Sequence, residues 1–164
     1  MAENPDLEKL QNLIDYHFKD ISILEEALKR RAFLNENPGS SDGGMDPLAT
    51  LGDAVLGLAI IQHFYEAEEE RDKGKITEIK STHVNRKNTR KFAEEHNLKE
   101  YILWGKGEEQ DKIYDKGDKA LDTVTEALFG AIYLDAQNSN KNGMNIVKKT
   151  LMNMGFFDLA LINS

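Results

Sequence analysis

The chain has 164 residues without cysteine, which favours one domain over residues 1–164 with a full core and excludes disulfides and thiol catalysis. Its net charge of −8 argues against a nucleic-acid partner on average. The sequence offers no apolar run as long as a bilayer span and no secretory leader, which predicts a cytoplasmic protein without a membrane partner.

The predicted elements are all helices, so the expected fold class is all-α. Pro5 is expected to occupy the first helical position after Asn4, and Asp46 with Pro47 is expected to cap a long central helix. Turn-forming residues predict a loop over 35–44, and charged residues predict another over 106–119. The predicted helices cover residues 5–14, 21–33, 46–61, 76–84, 86–96, 119–136 and 141–154.

Two of these helices share an unusual design. Each has a lone carboxylate, Asp53 or Glu126, followed by eight uncharged and almost wholly apolar residues, with a glycine four residues after the acid. A helix that is apolar all round is expected to be buried on all sides. Because glycine costs a helix roughly 1 kcal/mol relative to alanine, Gly57 and Gly130 predict a close helix crossing. Such a crossing would bring the two carboxylates together, where a divalent metal would compensate their charge.

Positive charge is concentrated in one segment. Residues 71–91 contain eight basic and two acidic residues, a net charge of about +6, although the whole chain is acidic. Phosphate contacts need such a local patch, whereas the alternative is a solvated helix face. The candidate nucleic-acid-binding residues, which would contact RNA if the resemblance described below holds, are Lys73, Lys75, Lys80, Arg86, Lys87 and Arg90.

Five segments together resemble the ribonuclease III family in order and spacing. Residues 51–57, Leu-Gly-Asp-Ala-Val-Leu-Gly, resemble its core signature, and residues 126–135 resemble its second metal-binding helix. Residues 76–85 resemble its helix ending in Val-Asn, residues 101–108 its Gly-Lys-Gly-Glu turn, and residues 24–31 an upstream basic stretch. The resemblance covers about residues 10–137.

This resemblance implies a helical nuclease domain that forms a two-fold homodimer. It also implies a Mg²⁺-dependent endoribonuclease that cuts double-stranded RNA to 5′-phosphate products. Such an enzyme accepts Mn²⁺ in place of Mg²⁺ and needs no organic cofactor. Asp53 and Glu126 are then the expected catalytic and metal-binding residues. Such chemistry fits RNA processing, for example of ribosomal RNA precursors.

The chain departs from the family pattern at two acidic positions. Ala49 stands four residues before Asp53, where the family usually has glutamate, and Thr123 stands where it usually has aspartate. Asp46 and Asp122 lie close enough in sequence to act as substitute metal ligands. The compact branch called Mini-ribonuclease III carries alanine and threonine at corresponding places and, as expected for this chain, has no separate double-stranded-RNA-binding domain.

Each candidate acid also has a purely structural interpretation. Asp46 could be only an N-cap, and Asp122 only a solvated residue in the first turn of a helix. Asp53 and Glu126 could be polar anchors in a fold without activity. The alternative function is therefore a catalytically silent dimer that binds RNA or a ribonucleoprotein. Ala49 and Thr123 favour that alternative, whereas retention of two core-facing charges favours the enzyme.

Overall fold

A computed structural model of the chain describes residues 5–39, 43–67, 72–116 and 119–158. The regular elements within these ranges are helices, which confirms the all-α class. Three short 3₁₀ turns lie at Leu98–Glu100, Ile113–Asp115 and Phe156–Asp158. The helices are α1 Leu7–Leu13, α2 Ile21–Leu28, α3 Arg31–Glu36, α4 Met45–Ala67, α5 Lys73–His83, α6 Arg86–Glu95, α7 Lys106–Gln110, α8 Ala120–Asn138 and α9 Gly143–Asn153.

The first helix begins two residues later than predicted. Pro5 lies outside it, and the Asp6 side chain caps the helix by accepting a hydrogen bond from the Lys9 backbone N–H at 2.9 Å. A carboxylate that satisfies an otherwise unpaired N–H is a stronger start signal than proline, which has no side-chain acceptor. Asn4 lies outside the described residues.

The helix predicted over residues 21–33 is broken at Lys29. The Leu103 N–H donates to the Leu28 carbonyl at 2.8 Å, and the Arg30 N–H donates to the Leu103 carbonyl at 3.1 Å. These two bonds withdraw the backbone groups that would have continued α2. Because their partner lies some seventy residues further along the chain, the local sequence pattern does not predict the break.

Residues 106–119, predicted as a loop, contain the short helix α7. Glu108 stabilises its start by accepting a hydrogen bond from the Gly105 N–H at 3.2 Å. The same carboxylate accepts from Arg30 Nη2 at 2.6 Å, and both side chains are less than a fifth exposed. This shielded ion pair joins α7 to the start of α3.

The central feature of the core is the crossing of α4 and α8. A Cβ on Gly52 would overlap the Glu126 carbonyl, and a Cβ on Gly130 would overlap the Leu48 carbonyl. The close crossing predicted for Gly130 is therefore present, but its partner on α4 is Gly52. The prediction was wrong for Gly57, where a Cβ would meet Lys80 instead.

The two apolar helices differ in burial. On α8, residues 127–132 are buried, as predicted, whereas Tyr133 and Leu134 at the end of the predicted run are only partly buried. On α4, Ala54 is exposed and Leu58 is 54% exposed, so the prediction of burial on every side was wrong for this helix.

By length and composition alone, α4 would also be long enough to cross a membrane, contrary to the sequence expectation. The core helix of a soluble protein passes the same test. Packing of α4 along α8 through the Gly52–Gly130 crossing accounts for the apolar residues on the buried face of α4.

Candidate functional site

An open groove of about 530 Å³ runs beside the α4–α8 crossing. On α4, three- and four-residue spacing places the lining residues on one face. On α8, Glu126 is held against α4 because Gly52 has no side chain to separate the two backbones. The lining residues are Asp46, Ala49, Thr50, Asp53, Thr123 and Glu126.

The electrostatics of the groove centre on Glu126. Burial raises the pKa of its carboxyl to about 7, and the nearby negative charges of Asp53 and Asp122 add to the rise. Both effects disfavour the ionised form. The structure therefore brings Asp53 and Glu126 close enough to repel each other, in a position where a cation would relieve that repulsion.

Asp46 lies inside the first turn of α4, which begins at Met45, so the prediction that it is the N-cap was wrong. Its Oδ2 accepts a hydrogen bond from Arg31 Nε at 3.4 Å. Both side chains are largely exposed, so this pair contributes at most about 1 kcal/mol. Asp46 can therefore turn toward the groove at little cost.

Asp122 is 9% exposed, which rules out a solvated residue. Its Oδ2 lies 3.1 Å from Arg86 Nε of α6, while the neighbouring Thr123 lines the groove. The Thr125 hydroxyl fixes this packing by donating to the Thr89 carbonyl at 2.9 Å. Asp122 therefore acts on Glu126 through its charge and is held by an arginine.

The donor set fits a cation that takes few protein ligands. Across the described ranges, no three carboxylate or imidazole groups converge into a metal cage. Mg²⁺ retains several waters and needs only one or two direct carboxylates. The coupled pair Asp53 and Glu126 meets that requirement, with Asp46 at the end of the same groove.

The predicted RNA-binding residues lie on α5 and at the start of α6. Five of the six are exposed, whereas Arg90 is partly buried. The Arg90 guanidinium contacts Glu94 Oε1 at 2.8 Å and the Tyr114 carbonyl at 3.3 Å. Arg71, part of the same basic segment, lies outside the described residues. The exposed residues are Lys73, Lys75, Lys80, Arg86 and Lys87.

Sequence reasoning missed the two arginines that hold the outer acids. Arg31 lies in the segment that resembles the family's upstream basic stretch, but sequence spacing gives no sign that it reaches Asp46. Arg86 was predicted as an RNA-binding residue only, and its position at the first turn of α6 places it against Asp122.

Comparisons with known proteins identify the family of the segment that contains the groove. The Ribonuclease III domain family matches residues 46–137, which include all the groove-lining residues. The chain is 41% identical over 135 residues to Ribonuclease 3 of Syntrophobacter fumaroxidans, covering 82% of this chain and 55% of that protein. It is 32% identical over 149 residues to Ribonuclease 3 of Dehalococcoides mccartyi, covering 91% and 60%. The chain thus spans little more than half the length of these relatives.

A solved structure shares the fold. The nuclease domain of ribonuclease III from Campylobacter jejuni superposes with a TM-score of 0.76 at 28% identity, covering 91% of this chain and 95% of that one. That structure's description concerns a region involved in dimer formation. On the family match and these identities, the chain belongs to the ribonuclease III domain family.

Proposed function

We propose that this chain is the nuclease part of a Mg²⁺-dependent endoribonuclease that cuts double-stranded or structured RNA to 5′-phosphate products. The observation that carries the proposal is the coupled pair Asp53 and Glu126 in an open groove within the family match. RNA processing in the cytoplasm, for example of ribosomal RNA precursors, is the setting that we propose.

The two carboxylates would hold the ion, and Mn²⁺ would substitute for Mg²⁺. When bound, the ion supplies charge neutralisation at the phosphate and activation of the attacking water. Glu126 must lose its proton to act as a ligand, which its pKa of about 7 allows near neutral pH. Asp53 is exposed to solvent. A metal ion held by Asp53 would therefore be accessible to the RNA backbone.

The basic segment supports double-stranded RNA as the substrate. Its exposed cations lie on α5 and the first turn of α6, on the elements next to α4 and α8. Side chains cannot read the deep major groove of A-form RNA, so recognition relies on the phosphates and 2′-hydroxyls. A cluster of lysines and arginines outside the carboxylate groove suits backbone contacts of this kind.

A homodimer is supported by the outer face of α4. Apolar residues at three- and four-residue spacing form a stripe there, in which Leu58 and Tyr65 are 54% and 43% exposed. Large contiguous apolar patches on a surface usually mark interaction sites. A second copy of the chain would cover this stripe. Its residues are Leu51, Ala54, Leu58, Ile61 and Tyr65.

A second candidate function is a silent dimer that binds RNA or a ribonucleoprotein without cutting it. The observation that favours it is the lining of the groove, where Ala49 and Thr123 replace two acids that the family usually has. Only Asp53 and Glu126 remain of the four usual ligands, with Asp46 as a third carboxylate in the groove, so less charge is available to hold a metal against a phosphate.

Cleavage of a labelled, perfectly paired RNA duplex distinguishes the two candidates. The purified protein would be incubated with Mg²⁺, Mn²⁺ or EDTA beside Glu126→Gln, with exposed Glu25→Gln on α2 as the matched control. Metal-dependent cuts that leave 5′-phosphates, lost in Glu126→Gln and kept in the control, are expected. Intact duplex with a retained gel shift would instead establish the silent RNA-binding dimer.

A further inference from the structure

Gly57 is a glycine in the interior of α4 that the helix crossing does not explain. Gly52 and Gly130 provide the close approach of α4 and α8, whereas Gly57 faces α5. A glycine in mid-helix costs roughly 1 kcal/mol relative to alanine. A neighbouring group is therefore expected to occupy the space where a Cβ on Gly57 would lie.

That contact is the side chain of Lys80. A Cβ added to Gly57 would lie 3.1 Å from Lys80 Cε and 3.6 Å from Lys80 Nζ. The end of the lysine side chain therefore lies directly over the α4 backbone at this point. Lys80 as a whole is exposed, although the end of its side chain contacts α4.

The position of this contact relates Lys80 to the carboxylate groove. Asp53 precedes Gly57 by one helical turn, and residues at this spacing are neighbours on one face, with Cβ atoms about 5–6 Å apart. Asp46, Ala49 and Asp53 line the groove. Gly57 follows one turn after Asp53 on the same face of α4, just beyond the groove lining. The end of the Lys80 side chain therefore lies over α4 one turn beyond Asp53.

We propose that Gly57 is a positioning residue, whose missing side chain lets Lys80 lie across α4, one helical turn from Asp53, and bind a phosphate of the RNA there. The inference rests on the proposed function, and it gives Lys80 a defined place among the basic residues. A phosphate near Asp53 and Glu126 would be repelled by their negative charges. The Lys80 ammonium would offset that repulsion with a charge-assisted hydrogen bond to the phosphate.

Gly57→Ala tests the inference with little risk to the fold. The clash involves only the far end of a flexible side chain, and alanine is the better helix former. The melting temperature is therefore expected to stay the same or rise, while duplex cleavage falls on the order of tenfold because Lys80 is displaced. Gly107→Ala in α7 is the matched control, since a Cβ there meets nothing within 4 Å.

A double-mutant cycle separates positioning from a general effect on the site. Lys80→Gln is expected to lower cleavage by a similar factor, and adding Gly57→Ala to it should change nothing further. Lys80→Arg, which keeps the charge, should retain more activity than Lys80→Gln. Equal losses from Gly57→Ala in both backgrounds, or no loss in the native background, would overturn the inference while leaving the nuclease assignment intact.

Failure of the proposed function has a different signature. If the native chain cuts no duplex with any metal, the same cycle is measured as duplex affinity by filter binding in Ca²⁺. If Gly57→Ala lowers duplex affinity in the native background but not in Lys80→Gln, the inference holds for a silent RNA-binding protein. If Gly57→Ala lowers affinity equally in both backgrounds, or if no protein binds the duplex, the inference is rejected.

Discussion

At the scale of single residues, Glu126 is the group in the groove whose ionisation is most affected by its surroundings. Its carboxyl lies partly buried at the helix crossing, and Asp53 and Asp122 add negative charge around it. Each of these features favours the protonated acid, so its pKa rises to about 7. A cation bound beside Glu126 would favour its ionised form, so metal binding is expected to lower this pKa.

The raised pKa of Glu126 predicts how the free energy of unfolding of the metal-free chain depends on pH. Unfolded glutamate has the lower pKa, so the unfolded chain loses its proton first as pH rises and the folded chain is progressively disfavoured. The loss begins near the unfolded pKa of 4.5 and is complete above about 7. Glu126→Gln should therefore be more stable than the native chain by roughly 1–3 kcal/mol at pH 8, and nearly equal to it at pH 4.

Urea unfolding in EDTA across this pH range measures the difference. Glu25→Gln, on the exposed side of α2, is the control and should show no comparable pH dependence. If Glu126→Gln is less stable than the native chain at pH 8, burial and nearby negative charge do not destabilise the ionised Glu126 carboxylate as proposed.

The sequence predicted part of this site and missed the rest for a physical reason. Asp53 and Glu126 could be paired because each heads an apolar helix with a glycine one turn later. The state of Asp46 and Asp122 could not be predicted, because it depends on Arg31 and Arg86. Those arginines approach from α3 and α6, and side-chain partners from distant segments leave no periodic signal.

At the scale of elements, the crossing of α4 and α8 decides where the carboxylates lie. Gly52 Cα approaches the Glu126 carbonyl so closely that a methyl group has no space. Gly52→Ala should force the helices apart and lower the free energy of unfolding by roughly 2–4 kcal/mol. Urea denaturation beside Gly107→Ala, which has open space, measures this effect. Equal stability of the two variants would contradict the close crossing.

The sequence predicted a glycine-mediated crossing but assigned it partly to the wrong glycine. The expectation rested on equal spacing, with Gly57 and Gly130 each four residues after an acid. Spacing from the carboxylate does not fix which face of α4 meets α8, and Gly52 has the contact. The local sequence also did not predict the break of the second helix at Lys29, because that break depends on the bridge to Leu103.

At the scale of the whole molecule, the exposed apolar stripe on α4 predicts that a second copy of the chain packs against this face. Leu58→Glu would place a charge in the centre of the apolar stripe, where burial against a second copy becomes costly. The native chain is expected to sediment as a dimer, and the variant as a monomer at the same micromolar concentration. Met152→Glu on α9 is the control, because Met152 is similarly exposed at 58% but lies off the stripe. A native monomer, or a Leu58→Glu dimer, would contradict the proposed assembly.

Charge is also organised at this scale. The chain is acidic overall, yet its exposed cations on α5 and α6 lie beside the helices that carry the carboxylates. The sequence predicted this separation from the composition of residues 71–91 alone. It could not predict that Arg90 is held by Glu94 and the Tyr114 carbonyl, because that arrangement requires the folded positions of α6 and the turn at Ile113–Asp115.

Asp53 and Glu126 are expected to bind a divalent cation together, and thermal unfolding with and without Mg²⁺ tests this expectation most directly. A ligand that binds only the folded state raises the melting temperature with concentration. The native chain should gain stability as Mg²⁺ rises from zero to several times its dissociation constant, whereas Asp53→Asn should gain none. Equal responses of the two proteins, or no response from either, would contradict the metal site.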